Sequence, residues 1–295
     1  MGYSKRSDEI TREYFDSILI STRYLDSDLP DLSTDLFGEH FDTPVTTAAL
    51  SHLHKVCEDG MVEFAKGAYN AGAMHFYGMG EDEELERVIN TGAKTAKIIK
   101  PHADDKEVFR RIEHAKKAGA FAVGMDIDHA ISWEGKYDCV LGLDMRPKTT
   151  EQIKEYVQAA GDTPFIVKGV LSACDAEKVV KAGAKGIVVS HHHGIMDYMT
   201  PPLMMLPEIK EAVGNQAKIF IDCGIESGAD VFKCLALGAD AVSVGRALMG
   251  PLEKGNAGVT ETIKRINSEL MVIMARTGAK SIKEIDSSVL RYRSF

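Results

Sequence analysis

The 295-residue chain has no excess of positive charge: 35 Lys and Arg stand against 44 Asp and Glu, a formal net charge of −9. A nucleic-acid footprint is normally a basic stripe, and an anionic membrane surface asks for the same, so neither is expected as a partner. Cysteine is scarce and scattered. Cys57, Cys139, Cys174, Cys223 and Cys234 form no CxxC pair. An odd, dispersed set reads as reduced thiols in a cytosolic protein, not a disulfide framework. No apolar run reaches the roughly 18 residues that a spanning helix needs. The N-terminal MGYSKRSDEITREYF lacks the apolar core of a secretory signal. These absences predict a soluble, cytoplasmic protein. Low-complexity segments and linkers are missing too, which predicts one domain over 1–295.

What is present is a recurring punctuation. A helical stretch ends in Ala/Leu-Gly-Ala and a β-rich run follows: Asn70-Ala-Gly-Ala before MHFY, Lys117-Ala-Gly-Ala before FAVGMDID, Lys181-Ala-Gly-Ala before KGIVVS, Leu237-Gly-Ala before DAVSVG. Asn90-Thr-Gly-Ala before KTAKIIK is a variant. The glycine closes a helix in the left-handed conformation and the next strand begins. The pattern predicts strands at 44–49, 73–77, 95–99, 121–127, 164–168, 185–190, 218–222 and 240–244, with helices between them and a last helix at 258–276. Eight alternating pairs imply parallel βαβ units. In this length they favour an α/β chain closed as a (β/α)8 TIM barrel, about 43–276, behind a short N-terminal extension. An open dinucleotide-binding sheet would want GxGxxG after its first strand; that position reads TTAALSHLH.

Barrel sites form at the C-terminal strand ends. Those ends hold Thr47, Ala48 and Ala49, Gly78, Lys100, Asp126 and Asp128, Lys168, Ser190, Asp222, Gly224, Gly245 and Arg246. The ends of the seventh and eighth strands commonly bind phosphate through backbone N–H groups, and Arg246 can pair with an anion bidentately. A buried Lys168 needs an anion. Asp126 and Asp128 are in phase and face one side. Ser190-His191-His192-His193-Gly194 is the sharpest local feature. Consecutive residues point different ways, so one or two of these histidines face the centre, as general base or metal ligand.

The stretch PFIVKGVLSACDAEKVVKAGAKGIVVSHHHG resembles the strand 5 to strand 6 segment of the FMN-dependent α-hydroxy acid oxidase/dehydrogenase family, the glycolate and lactate oxidase group, whose pattern ends in VSNHGGR. IFIDCGIESGADVFKCLALGADAVSVGRALMG resembles that family's DGGIR segment, and GVTETIKRINSELMVIMARTGAKSIKEI its C-terminal helix. The likeness continues more weakly upstream, through LSTDLFGEHFDTPVTTAA and NAGAMHFYG. It implies FMN as cofactor, a small-molecule substrate and a homo-oligomer, often a tetramer. By it, Lys168 stabilises negative charge at the flavin N1/O2 edge, and Asp222, Gly224, Gly245 and Arg246 belong to the phosphate site. Thr47–Leu50 run backbone along the flavin. His192 is the general base, with Asp128 orienting it.

The pattern also departs from the family. The two arginines that clamp a substrate carboxylate fall at Ile195 or a neighbour and within 131–134, and both are absent. The arginine of DGGIR is Glu226. The strand 2 Ser falls at Gly78, the strand 3 Gln and Tyr at Lys100 and His102, and the strand 4 Thr at Asp126. The resemblance thus implies an FMN-dependent oxidoreductase with an altered substrate site, its direction open. Two other readings of the same residues stay open. One is a metal-dependent lyase or hydrolase using Asp126, Asp128, His129, His192 and His193. The other is a non-catalytic ligand-binding descendant of the barrel.

Overall fold

A computed structural model describes residues 5–293. Its main sheet has eight parallel strands: β1 (Val45–Thr47), β2 (His75–Tyr77), β3 (Thr95–Ile99), β4 (Ala122–Asp126), β5 (Phe165–Val170), β6 (Gly186–Val189), β7 (Lys218–Ile221) and β8 (Ala241–Val244). A helix follows each: α1 (Gly60–Asn70), α2 (Asp82–Ile89), α3 (Asp105–Ala118), α4 (Thr150–Ala160), α5 (Ala173–Lys181), α6 (Pro202–Val213), α7 (Gly228–Ala236) and α8 (Gly255–Thr277). Every expected strand and helix is present, with ends displaced by a few residues. Local chemistry sets those ends. Thr149 and Ser227 begin α4 and α7 with capping boxes. Gly119 ends α3 at φ +90°, a conformation that costs any other residue.

The sheet runs in order from β1 through β8 and down to β2, so β1 and β2 are its two edges. They meet, and a side chain completes the seam. Thr47 N donates to Met74 O at 3.2 Å, Gly78 N to Leu50 O at 3.1 Å, and Phe76 N to the Thr47 hydroxyl at 3.0 Å. Closure turns the sheet into the (β/α)8 barrel and removes its free edges.

Inside the barrel, Phe76 and Phe220 meet edge to face at 5.1 Å between ring centroids. The floor is plugged by a hairpin, Thr34–Leu36 with Glu39–Phe41. Its two-residue turn, Phe37-Gly38, has both φ values positive, +53° and +86°. It drives Phe37 between Phe121 and Phe220, 6.0 Å from each. A Cβ at Gly186 would stand 3.0 Å from the Phe37 ring, so the plug accounts for that glycine. With the floor filled by aromatic rings, the opposite end is the one left for chemistry.

Two features lie outside the sequence expectations. An N-terminal helix spans Lys5–Ser17 and buries Ser7, Thr11 and Phe15 against the barrel mouth. The segment behind it, Ile18–Ile20, pairs antiparallel with Leu290–Tyr292. The long connection after β4 carries a small antiparallel pair, Cys139–Val140 with Leu143–Asp144. Among the described residues no helix is long and apolar enough to cross a membrane.

Candidate active site

Side chains alternate along a strand, so every second residue points into the barrel. Met74 and Phe76, Ala96 and Ile98, and Ile166 and Val188 belong to the inner core. One further step in phase reaches the mouth and gives Ala48, Gly78, Lys100, Asp126, Lys168, Ser190, Asp222 and Gly245. Each strand contributes one residue to this layer, and all eight are sequence-predicted site residues. The layer is lopsided. β8, β1 and β2 supply nothing larger than a methyl group, while β3 to β7 supply ions and a hydroxyl.

Thr47 has the opposite phase. Its hydroxyl pairs with His75 Nδ1 at 2.8 Å, behind the barrel wall. Ala48 N donates to Val244 O at 2.8 Å. At these two positions the wall uses the backbone N–H groups; of the predicted stretch Ala48 is in phase with the mouth layer, and Ala49 packs against the inner cluster.

The three histidines diverge, as consecutive residues must. His191 is fully buried and turns toward the N-terminal helix. Gly194 N donates to its Nδ1 at 3.1 Å, so Nε2 carries the proton and donates to the Thr11 hydroxyl at 2.8 Å. His193 turns outward to Asp8, 2.7 Å from its Nδ1. His192 alone turns to the centre, on a left-handed residue with φ +50°. Such conformations in non-glycine residues are costly and cluster at functional sites. Its Nδ1 lies 3.0 Å from Asp128 Oδ1, 3.4 Å from Asp126 Oδ1 and 3.4 Å from Lys168 Nζ.

A buried alternation of charge surrounds it. Lys100 Nζ is 2.6 Å from Asp126 Oδ2. Lys168 Nζ stands 3.8 Å from Asp126, 3.7 Å from Asp222 and 3.3 Å from the Ser190 hydroxyl. Burial works against the Lys168 charge, but Asp126, Asp222 and Asp128 outweigh it and hold the ammonium above its ordinary pKa. Burial also opposes ionisation of Asp126, yet His192, Lys100 and Lys168 pull it well below the usual carboxylate range. Asp128 goes the other way, raised by burial and then by the charge of Asp126. For His192, burial disfavours the cation, while Asp126 and Asp128 favour it and the result is a raised pKa. His129 packs edge-on against His192, 4.7 Å between centroids, and burial with the nearby Lys100 lowers its pKa to about 4.

At the ends of β7 and β8, Arg246 makes a two-pronged pair with Asp8 of the N-terminal helix, at 3.0 and 3.1 Å. Gly224, at φ +76°, faces the same helix: a Cβ there would meet Thr11 at 2.9 Å, and its carbonyl accepts from Arg12 at 3.2 Å. Glu226 is exposed, and its backbone is tied down by Asp230 and Arg265. Beside His192 a cavity opens, lined by Asp128, His129, Ile131, Ser132, Trp133, Asp138 and Ile195. The two regions where the carboxylate-clamping arginines are absent therefore line one space.

Comparison with known proteins agrees with this architecture. The family model described as FMN-dependent dehydrogenase matches residues 4–161 and 144–292. The chain belongs to that family. It is 29% identical to an L-lactate oxidase of Nostoc sp., over 97% of this chain and 91% of the relative. It is 30% identical to an L-lactate dehydrogenase of Ectopseudomonas mendocina, over 88% and 84%. A crystal structure of mandelate oxidase superposes with a TM-score of 0.89 at 27% identity, covering 99% of this chain and 93% of that one. Another, solved with an FMN adduct, gives 0.88 at 28%, covering 100% and 94%. The expected barrel, the expected cofactor FMN and the expected oxidoreductase class are those of the family.

Sequence reasoning missed Asp8, Thr11 and Arg12, which reach the mouth from a helix it did not foresee, and Trp133 and Asp138 on the long connection. Only the spacing of Ser7, Thr11 and Phe15 signalled that helix, because two of the three are polar.

Proposed function

We propose that this chain oxidises a hydroxyl-bearing carbon of a small substrate without a carboxylate, or reduces the matching carbonyl, with His192 moving the proton. The observation that carries this is the His192–Asp128 contact at 3.0 Å, with Lys168 beside it. A ring whose Nδ1 faces a carboxylate has Nε2 left to meet a substrate hydroxyl, and the carboxylate steadies the imidazolium that forms. The residues present fit FMN. The sector from β8 to β2 sets no side chain larger than a methyl group against a flat ring, buried Lys168 can face its electron-rich edge, and Arg246 is a cation suited to its phosphate, with the His193 ring beside it as a neutral hydrogen-bond donor. When bound, FMN supplies the hydride chemistry. The chain's part is to hold Lys168 charged, to orient His192 through Asp128, and to line the substrate space.

That space argues for the substrate class. A carboxylate entering it meets Asp128 and Asp138, with Ile131, Trp133 and Ile195 where a clamp would stand. A charge-assisted hydrogen bond contributes about 1.5–3 kcal/mol, so each missing arginine weakens a carboxylate substrate by roughly one to two orders of magnitude. Neutral or cationic substrates with an apolar flank fit better. The test is anaerobic bleaching of the FMN-loaded protein by matched panels of neutral alcohols and 2-hydroxy acids. Preferential bleaching by the acids overturns the substrate class; no bleaching by any member, with H192A binding and reacting like the parent in every assay, favours a non-catalytic barrel.

A metal shell is the second reading, since donor atoms of Asp126, Asp128 and His192 lie within 4.8 Å of one another. Lys100 and Lys168 disfavour it, because their ammonium groups already neutralise that cluster. Activity lost on chelation and restored by a divalent ion would reverse the preference. The reading also takes 1–295 as a single domain of a cytoplasmic homo-oligomer, checked by limited proteolysis and light scattering.

A further inference from the structure

The N-terminal helix does more than cover the barrel. Its Asp8 carboxylate takes both prongs of Arg246, at 3.0 and 3.1 Å, and a third contact from His193 Nδ1 at 2.7 Å. This is a built anion subsite with an anion in it, and the anion belongs to the chain. It lies at the ends of β7 and β8, where barrels of this type bind phosphate. We propose that Asp8 is an internal stand-in for the cofactor phosphate, so that phosphate binding requires Asp8 to release Arg246 and His193.

Independent observations separate this from an ordinary surface ion pair. First, the helix is fastened to the same loops. Ser7 Oγ donates to Met196 O at 2.6 Å and accepts from Met199 N at 3.1 Å, while Thr11 pairs with His191 and Arg12 with the Gly224 carbonyl. Asp8 is thus delivered to Arg246 by a helix registered on the loops after β6 and β7. Second, the cradle itself is altered. The family patterns VSNHGGR and DGGIR carry glycine where this chain has His193 and Cys223, and both keep left-handed backbones, φ +60° and +73°. His193 N now donates to Cys223 Sγ at 3.4 Å. Both positions thus carry side chains where the family pattern has none, and one of them is a partner of Asp8.

The charges conflict. A phosphate and a carboxylate cannot both take the bidentate face of one guanidinium, and two anions held at contact distance repel. FMN therefore binds against a competitor, and riboflavin, which lacks the phosphate, does not. Asp8 would act as a selectivity residue for the cofactor's phosphate end, and its release would loosen the N-terminal helix.

The inference rests on the FMN reading of the mouth, and the test separates the two. The apoprotein, its Asp8→Asn variant and a charge-conserving Asp8→Glu variant are titrated with FMN and with riboflavin, each checked for an unchanged thermal midpoint. Asp8→Asn is expected to tighten FMN by at least about tenfold, the equivalent of about 1.4 kcal/mol, and to leave riboflavin within about twofold. Asp8→Glu is expected to behave like the parent. Amide exchange over residues 5–17 is expected to quicken when the parent is saturated with FMN. Unchanged or weaker FMN binding by Asp8→Asn overturns the proposal, as does equal tightening of both flavins. Failure of all three proteins to bind either flavin overturns the cofactor reading and this inference with it.

Discussion

His192 Nδ1 stands 3.0 Å from Asp128 Oδ1, and the histidine is held there by a left-handed turn at φ +50°. Two separate stretches of chain, the turn after β6 and the residues beyond β4, converge to fix one ring. His192→Ala should therefore remove the proton-transfer contribution, about 10²–10⁴-fold in the rate of flavin reduction by the substrate. Asp128→Asn retains the shape but not the charge. It should lower that rate by a smaller factor, with little change in substrate affinity, and shift its pH profile. Stopped-flow reduction at saturating substrate separates the two effects. Equal losses of rate and affinity in Asp128→Asn would point to a packing role instead.

The pH dependence follows from the raised pKa of His192. As a base in the oxidation direction, His192 acts when neutral. The rate should thus rise with pH and level off only above the ordinary histidine value of about 6.5. The reverse reduction should lose rate over the same interval. Among the charges that hold the proton on His192, Asp126 is first, so Asp126→Asn should move the rising limb to lower pH. Because Asp126 and Asp128 both face His192 Nδ1, at 3.4 and 3.0 Å, the profile reports the cluster and not one isolated ring. Linkage gives the sign for stability: this group's contribution is complete below about 6.5 and is lost as pH rises through the raised folded value. A profile unmoved by Asp126→Asn would show that another group controls it.

The barrel was legible because its signals are local and repeated. Ala-Gly-Ala marks helix ends, and β-rich runs of matching length follow. The mouth layer was legible for a related reason: once strand ends are placed, alternation selects Lys100, Asp126, Lys168 and Asp222 without any long-range information. His192 was separable from its two neighbours only in part. Sequence says they diverge, but which one faces the centre depends on Thr11 capturing His191 and Asp8 capturing His193. Both partners lie about 180 residues away, on a helix whose buried stripe, Ser7, Thr11 and Phe15, is mostly polar. Hydrophobic periodicity cannot see such a helix. The same limit hid the pocket, since Trp133 and Ile195 meet only through tertiary packing.

Stability to acid should depend on the seam. His75 is fully buried, stacks edge-on to Phe64 and is pushed by burial to a pKa of about 3. The unfolded chain takes up that proton near 6.5 and the folded one does not, so folding stability falls as pH drops from about 6.5 toward 3, by about 1.4 kcal/mol per pH unit from this group. His75→Gln should flatten that acid slope in urea titrations. Thr47→Val leaves Phe76 N and His75 without the hydroxyl that joins them. It should cost about 1–3 kcal/mol at neutral pH. A Thr47→Val variant as stable as the parent would mean that the seam closes without this side chain.

Ile195 is the position at which substrate choice can be put to a direct test. It lines the same cavity as Asp128, His129 and Trp133. An arginine there places five N–H donors where the space now offers a branched hydrocarbon. Ile195→Arg should therefore improve the KM for 2-hydroxy acids by roughly 10–100-fold, the worth of one charge-assisted bond, and worsen it for neutral alcohols. Trp133→Ala should weaken neutral apolar substrates through lost contact area and leave acids little changed, since the indole contributes area and not charge. The arginine also brings a cation toward Asp128, which should lower the pKa values of both Asp128 and His192 and shift the rising limb of the rate to lower pH. If Ile195→Arg moves the pH limb but not the acid preference, residue 195 reaches the carboxylates without reaching the substrate, and the discriminating residue lies on the 131–134 side of the cavity.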